Sequence, residues 1–143
     1  MGMPVTARGI ARPLAVALAT FAGGSLATVA WAVPPTLHLN AIVYDAHWSM
    51  RVYSSREKVF EGTTKVGEDY SRCTETSKTA VHCVGSYALK HGTIQFSGTI
   101  SNESDTNRLT ITGGTGTYKG ARGSAVTEYN KLGTRAKETL TFK

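Results

Sequence analysis

The sequence predicts a small all-β domain, and three observations support that prediction. Short runs of residues alternate in polarity with a two-residue period and are rich in Val, Ile, Thr and aromatic residues. Glycine-rich or polar turns separate these runs, which is typical of a sandwich or a barrel. No run after residue 32 sustains a helical period. Seven or eight strands in the remaining 111 residues favour a closed up-and-down barrel, which leaves no sheet edge exposed.

Residues 1–32 have the features of a secretory signal peptide. Arg8 and Arg12 form a basic start, residues 14–32 carry no charge, and Ala30-Trp31-Ala32 places small residues where signal peptidase reads the chain. Cleavage after Ala32 would leave residues 33–143 as one secreted β-barrel domain. The alternative is an uncleaved membrane anchor, since 19 uncharged residues nearly span a bilayer.

The strands are predicted in order from the polarity pattern. The first covers residues 37–44, after Val33-Pro34-Pro35, because proline cannot donate to a sheet ladder. Residues 45–49 predict a loop, residues 50–53 a short strand and the polar residues 54–58 a turn. The other predicted strands cover residues 63–74, 79–89, 93–100, 109–112, 117–129 and 135–142.

Cys73 and Cys83 predict a disulfide between the two arms of a hairpin. Both follow the predicted signal, and an even count in an oxidising compartment favours pairing over two free thiols. If the cysteines oppose each other, Ser71 faces Gly85 and Asp69 faces Tyr87, all on one sheet face. A bulge at Gly67 or Gly85 would shift the register beyond it. A zinc site is not expected, because no further cysteine completes a ligand set and His82, next to Cys83, points to the opposite sheet face.

A glycine-rich segment, residues 109–123, is the most distinctive stretch of the chain. Its glycines have neither the spacing of a P-loop nor that of a dinucleotide-binding fingerprint, so it predicts no phosphate or cofactor site. Gly113, Gly114 and Gly116 favour a tight turn with positive φ. Gly120 and Gly123 allow the next strand to bend or to be packed closely.

This segment resembles the signature shared by allene oxide cyclases and dirigent proteins. The residues that carry the resemblance are Ile111-Thr112-Gly113-Gly114-Thr115-Gly116 with Tyr118, Gly120, Ala121, Arg122 and Gly123. The resemblance covers residues 60–142 and implies an eight-stranded antiparallel barrel with a lumen for a small hydrophobic molecule, often as a dimer or trimer. The cyclases use an acidic residue and an asparagine on the first strand, where this chain offers Asn40 but no acid.

Asp69 and Tyr87 are the candidate site residues, because the register of the cysteine hairpin places them opposite each other. If their face lines the lumen, they would orient a ligand or move a proton. The other reading is a solvated face, since alternation defines two faces without saying which lies inside. Arg122 is predicted to lie on the surface. His38, His47, His82 and His91 form no metal-binding spacing.

Two functions follow from this pattern. One is a secreted barrel that binds a small hydrophobic molecule and steers its cyclisation, isomerisation or coupling by holding it in one orientation. The other is a non-catalytic barrel that carries a ligand or interacts at the cell surface. Nucleic-acid binding is not expected, because the basic residues are scattered and no aromatic residues interleave with them.

Overall fold

The computed structural model describes residues 32–143, and their eight strands close into an antiparallel barrel. Each strand pairs with its neighbour in sequence, and β8 pairs back to β1. The predicted eight-stranded antiparallel barrel is therefore confirmed. The strands are β1 (Thr36–Ser49), β2 (Val52–Glu61), β3 (Thr64–Glu75), β4 (Ala80–Leu89), β5 (Gly92–Ser101), β6 (Thr106–Gly114), β7 (Gly123–Tyr129) and β8 (Arg135–Phe142).

The predicted signal peptide lies outside the described residues except for Ala32, so cleavage after Ala32 stays a prediction. Within residues 32–143 no helix has the length and apolar character needed to cross a membrane.

Side chains that alternate along each strand fill the lumen. At the end where the chain enters and leaves the barrel, the lumen holds a tightly packed apolar layer. Tyr118 closes this end, with its ring stacked 6.1 Å from that of Phe142. Burial of such large aliphatic side chains is the main favourable term for folding a domain of this size. The apolar layer consists of Leu39, Val59, Ile94, Ile111 and Leu140, each at most 2% exposed.

The hairpin of β3 and β4 is clamped by the disulfide between Cys73 and Cys83. Asp69 lies opposite Tyr87, as the predicted register requires. This register runs without interruption through Gly85 and as far as Gly67, where the pairing of β3 with β4 ends. A shift occurs instead in the pairing of β3 with β2, between Val59, which faces Gly67, and Phe60, which faces Lys65. A disulfide forms and persists in an oxidising environment.

Gly85 makes room for an aromatic side chain in the lumen. A Cβ atom at this position would lie 2.4 Å from Cζ of Phe96. The ring of Phe96 therefore passes directly over the backbone of β4 and reaches that of Tyr87, with ring centroids 5.2 Å apart.

The glycine-rich segment forms the connection between β6 and β7 rather than continuous strand. A single 3-10 turn, Gly116–Tyr118, follows β6, and β7 begins only at Gly123. The strand predicted over residues 117–129 is thus wrong for its first six residues. Gly116 and Gly123 have φ of +59° and +149°, and a Cβ at Gly123 would lie 1.9 Å from the Thr141 carbonyl oxygen. The turn places Tyr118 over the end of the apolar layer.

The predicted loop at residues 45–49 and the predicted turn at residues 54–58 are also wrong. Residues 45–49 continue β1 beyond a bulge between Val43 and Asp45. Residues 54–58 lie in the middle of β2, where Arg56 and Lys58 point outward and Glu57 points into the lumen. This stretch is polar on both faces because part of the lumen is polar.

Candidate functional site

A row of polar side chains crosses three neighbouring strands in the middle of the lumen. Glu57 of β2 pairs in register with Asp69 of β3, and Asp69 pairs with Tyr87 of β4. Their side chains are 2%, 5% and 0% exposed. Asp69 and Tyr87, the two candidates from the sequence, therefore share the lumen face and not a solvated one. Glu57, their neighbour, was not among the sequence candidates.

A third acid, Glu138, enters the lumen from β8. It is 3% exposed, and its carboxyl group accepts a hydrogen bond from the Tyr87 hydroxyl. One oxygen from each of Glu57, Asp69 and Glu138 lies within 4.8 Å of the others. We call these three residues the acid cluster. Glu138 is in register with Thr127 of β7, which is also buried.

Burial raises the pKa of every member of the acid cluster. It raises the pKa of Glu57 to about 6, and a hydrogen bond from Ser55 opposes the rise. Burial, with the charge of Glu57, raises the pKa of Glu138 to about 8, opposed by the Tyr87 hydrogen bond. Burial raises the pKa of Asp69 well above its usual range, and the charges of Glu138 and Glu57 add to this. The three carboxyls thus cannot all be ionised at neutral pH without a compensating positive charge.

Several oxygen atoms in this region have no hydrogen-bond partner. They are Oε2 of Glu57, Oδ1 of Asp69, Oγ1 of Thr127 and Oε2 of Glu138. Ser55 satisfies part of the cluster, since its hydroxyl donates to Glu57 at 3.5 Å and is 2.8 Å from the Ser71 hydroxyl. Buried polar atoms are normally paired, so four unpaired oxygens in one lumen indicate a site that a ligand or water completes.

A cavity of about 250 Å³ opens the lumen to solvent above the acid cluster. Its base includes Asp69, Tyr87 and Glu138, whereas Glu57 lies behind them and does not line it. The mouth lies at the end of the barrel opposite the apolar layer. Typical ligand pockets measure about 300–1,000 Å³, so this cavity suits a small molecule. Aromatic side chains form much of the wall, namely Trp48, Tyr53, Tyr87, Phe96 and Tyr129.

The other residues singled out in the sequence lie away from the acid cluster. Cys73 and Cys83 line the cavity nearer its mouth, where their bond fixes one wall. The five motif glycines, Gly113, Gly114, Gly116, Gly120 and Gly123, belong to the connection at the closed end and its flanking strands. Asn40 and Arg122 are exposed on the outside of the barrel.

The acid cluster is equipped to move protons and does not resemble a zinc site. Two of its carboxyls and the phenol of Tyr87 face the same cavity, and their pKa values are shifted in the way seen at acid–base sites. Both cysteines are consumed by the disulfide. Each histidine of residues 32–143 is exposed, so none reaches the lumen to offer the nitrogen ligand that zinc prefers.

Fold and site together define a closed eight-stranded β-barrel with an acidic, aromatic lumen. No protein-family model matches the chain, and no curated protein matches it by sequence. Solved structures share its fold, among them one described as pyocyanin demethylase, with a TM-score of 0.65 and 18% sequence identity. That match covers 76% of this chain and 99% of the other. At this identity the likeness establishes the barrel fold alone.

Proposed function

We propose that this barrel binds a small, largely apolar molecule in its lumen and catalyses proton transfer on it, as an isomerase or cyclase does. The observation that carries the proposal is the acid cluster. Asp69, Glu138 and Tyr87 face one small cavity, and Glu57 lies directly behind them. Groups that serve only to stabilise a fold are rarely buried carboxyls whose oxygen atoms lack a hydrogen-bond partner.

The proposed chemistry needs one protonated and one ionised group at the cavity. One of the two cavity carboxyls, in its protonated form, donates to a carbonyl oxygen or another basic atom of the bound molecule. The other, ionised, accepts a proton from a carbon of the same molecule. The product is an isomer, and no oxidant or reductant is consumed. Since Asp69 and Glu138 interact strongly, the pair shares the two roles without a fixed assignment.

Glu57 acts in this proposal as a positioning residue. Its pKa of about 6 lies below the value of about 8 for Glu138, so Glu57 ionises before Glu138 as pH rises, and its charge raises the pKa of both cavity carboxyls. Glu57→Gln should therefore move the pH profile of the reaction to lower pH without abolishing it. A purely structural role for Glu57 would lower the rate at all pH values alike.

The resemblance to allene oxide cyclases and dirigent proteins supports this reading, since both groups steer a reactive small molecule inside a barrel. The solved structure named pyocyanin demethylase is, by that name, an enzyme that acts on pyocyanin, which agrees with small-molecule binding in a barrel of this fold. The resemblance also implies a homodimer or homotrimer, which light scattering on the purified protein would test.

Secretion is part of the proposal. The disulfide agrees with an exported protein. Mass spectrometry of protein recovered from the growth medium should give a chain that starts at Val33. Protein found only in the membrane fraction with its first 32 residues intact would favour the anchored form.

Hydrogen exchange into bound ketones tests the proposed catalysis. In D₂O, the protein should accelerate deuterium incorporation next to the carbonyl of 2-tetralone or cyclohexenone, followed by NMR. Glu138→Gln should lower this rate by about 10²-fold or more, the range for loss of a general acid or base. Glu128→Gln is the matched control, because Glu128 lies one residue from Thr127 on β7 and is exposed. Binding of the ketones without exchange would instead indicate a carrier.

A further inference from the structure

The acid cluster has no positive partner in the described part of the chain. Every lysine, arginine and histidine of residues 32–143 is exposed. The two ion pairs found there, Arg51 with Glu75 and Lys65 with Glu68, both lie on the outside of the barrel. Three buried carboxyls without a counter-charge are costly, because the low dielectric of the interior penalises each ionised group.

The unpaired oxygens indicate which kind of ligand would relieve this cost. Oδ1 of Asp69 and Oε2 of Glu138 belong to side chains that line the cavity, as does Oγ1 of Thr127. An ionised carboxylate can only accept hydrogen bonds, so a ligand must bring a donor or a positive charge to it. An anion at this place would add to the repulsion.

The walls of the cavity favour the same kind of ligand. Tyr87 and Phe96 form a tilted aromatic pair beside the acid cluster, and Trp48 and Tyr53 form another at the mouth, with centroids 4.8 Å apart. The face of an aromatic ring is the negative part of its quadrupole, so it attracts cations, and the same face packs against apolar groups. A bare metal ion would use the carboxylates but leave this aromatic wall without a role.

We infer that the lumen selects a small aromatic or otherwise apolar molecule that carries one positive charge, with that charge held against Asp69 and Glu138, the two members of the acid cluster that line the cavity. This inference names the ligand class of the proposed function and rests on it. The charged end is an ammonium or another cationic nitrogen. The apolar body lies against Tyr87 and Phe96 on the way to the mouth.

Two probes of nearly equal shape test this inference. Benzylammonium carries the charge, and benzyl alcohol keeps the ring and a hydrogen-bond donor without it. Calorimetry near pH 7 should show benzylammonium binding tighter by about tenfold or more, since the desolvated carboxylates add a charge term that the alcohol lacks. Glu138→Gln and Asp69→Asn should each reduce this preference, and the exposed control Glu128→Gln should leave it unchanged.

Proton release gives a second readout that requires no variant. A cation in the lumen stabilises ionised carboxyls, so its binding should expel protons from the cluster, whereas benzyl alcohol should expel none. Calorimetry in two buffers with different ionisation enthalpies measures the number of protons released on binding. The protons come from the three acids of β2, β3 and β8. Tyr53, Tyr87 and Tyr129 face the same cavity, but burial raises the pKa of each above its ordinary value of 10.0, so they stay protonated near pH 7.

Three results would overturn the inference. These are equal affinity for the two probes, a cation preference that survives both carboxyl substitutions, or tight binding of Mg²⁺ or Ca²⁺ that benzylammonium does not displace. The proposed catalysis is judged separately by deuterium exchange. If the protein catalyses deuterium exchange but shows no preference for benzylammonium, only the inferred ligand class is wrong. If it prefers benzylammonium but catalyses no exchange, it is a carrier of cationic molecules and the proposed catalysis is wrong.

Discussion

The two ends of the barrel differ in what fills them. At the closed end, the apolar layer is fully buried beneath Tyr118. At the open end, the same strands carry the acid cluster, Thr127 and a solvent-accessible cavity. The closed end stabilises the fold through apolar burial, and the open end carries the candidate site. The favourable free energy of burial at the closed end offsets the cost of the unpaired acids at the open end.

The largest expected effect concerns the closed end. Leu140 is 0% exposed, so Leu140→Ala should lower the free energy of unfolding by about 4 kcal/mol through lost burial and the cavity left behind. Denaturant titration measures this value. Leu132, which is 82% exposed, is the control, and Leu132→Ala should change stability by less than about 0.5 kcal/mol. Equal effects at the two positions would contradict the described packing.

The next effect concerns the open end and depends on pH. Glu138 has a pKa near 8 when folded and an ordinary value of 4.5 when exposed, so the folded state binds its proton more tightly. That extra stability is complete below about pH 4.5 and is lost as pH rises through about 8. Glu138→Gln should therefore match the native protein near pH 5 and exceed its stability by roughly 4 kcal/mol near pH 9.

Denaturant titration of both proteins across this range is the measurement. Glu128→Gln supplies the baseline for removing an exposed acid from the neighbouring strand. A native protein whose stability does not fall between pH 5 and 9 would show that Glu138 ionises without cost and that the cluster is hydrated.

A third effect concerns the disulfide at the wall of the cavity. Cys73 and Cys83 are ten residues apart in sequence, and the bond between them lowers the conformational entropy of the unfolded chain. The double substitution to serine should cost about 2.5 kcal/mol. It should also weaken ligand binding, because the bond fixes one wall of the cavity. Stability unchanged after reduction would argue that the hairpin register holds without the bond.

The smallest expected effect concerns Thr127, a buried residue of the open end. The Thr127 hydroxyl is buried without a partner, so Thr127→Val should leave stability unchanged or raise it by up to about 1 kcal/mol. Thr127→Ser keeps the hydroxyl and serves as the comparison. A clear loss of stability in Thr127→Val alone would mean that the hydroxyl has a bound water as its partner.

The sequence predicted the architecture better than it predicted the site. Alternation along the strands indicated a barrel, and the position of the two cysteines was sufficient to predict that Asp69 faces Tyr87. These predictions succeeded because strand geometry ties each residue to one face and one partner. The prediction of a turn at residues 54–58 is wrong because the residues that this strand points into the lumen, Ser55 and Glu57, are polar, so the strand lacks the alternation of apolar and polar residues.

The two remaining acids were missed for different reasons. Glu138 shares a face with Leu140 and Phe142 in a strand that was predicted correctly, and this shared face was an available signal that it points inward. Glu57 had no such signal, since its strand was not recognised. That β8 lies next to β1 and brings Glu138 to the row formed by β2, β3 and β4 depends on closure, which no local pattern specifies.

The pairing of β8 with β1 also brings the first and last described strands together at the closed end, where the Phe142 amide donates to the Pro35 carbonyl at 3.0 Å. A purification tag, a solid support or a fused domain attached before the start of β1 or after the end of β8 would therefore lie on the far side of the molecule from the cavity mouth. A protein immobilised in this way should still admit its ligand freely.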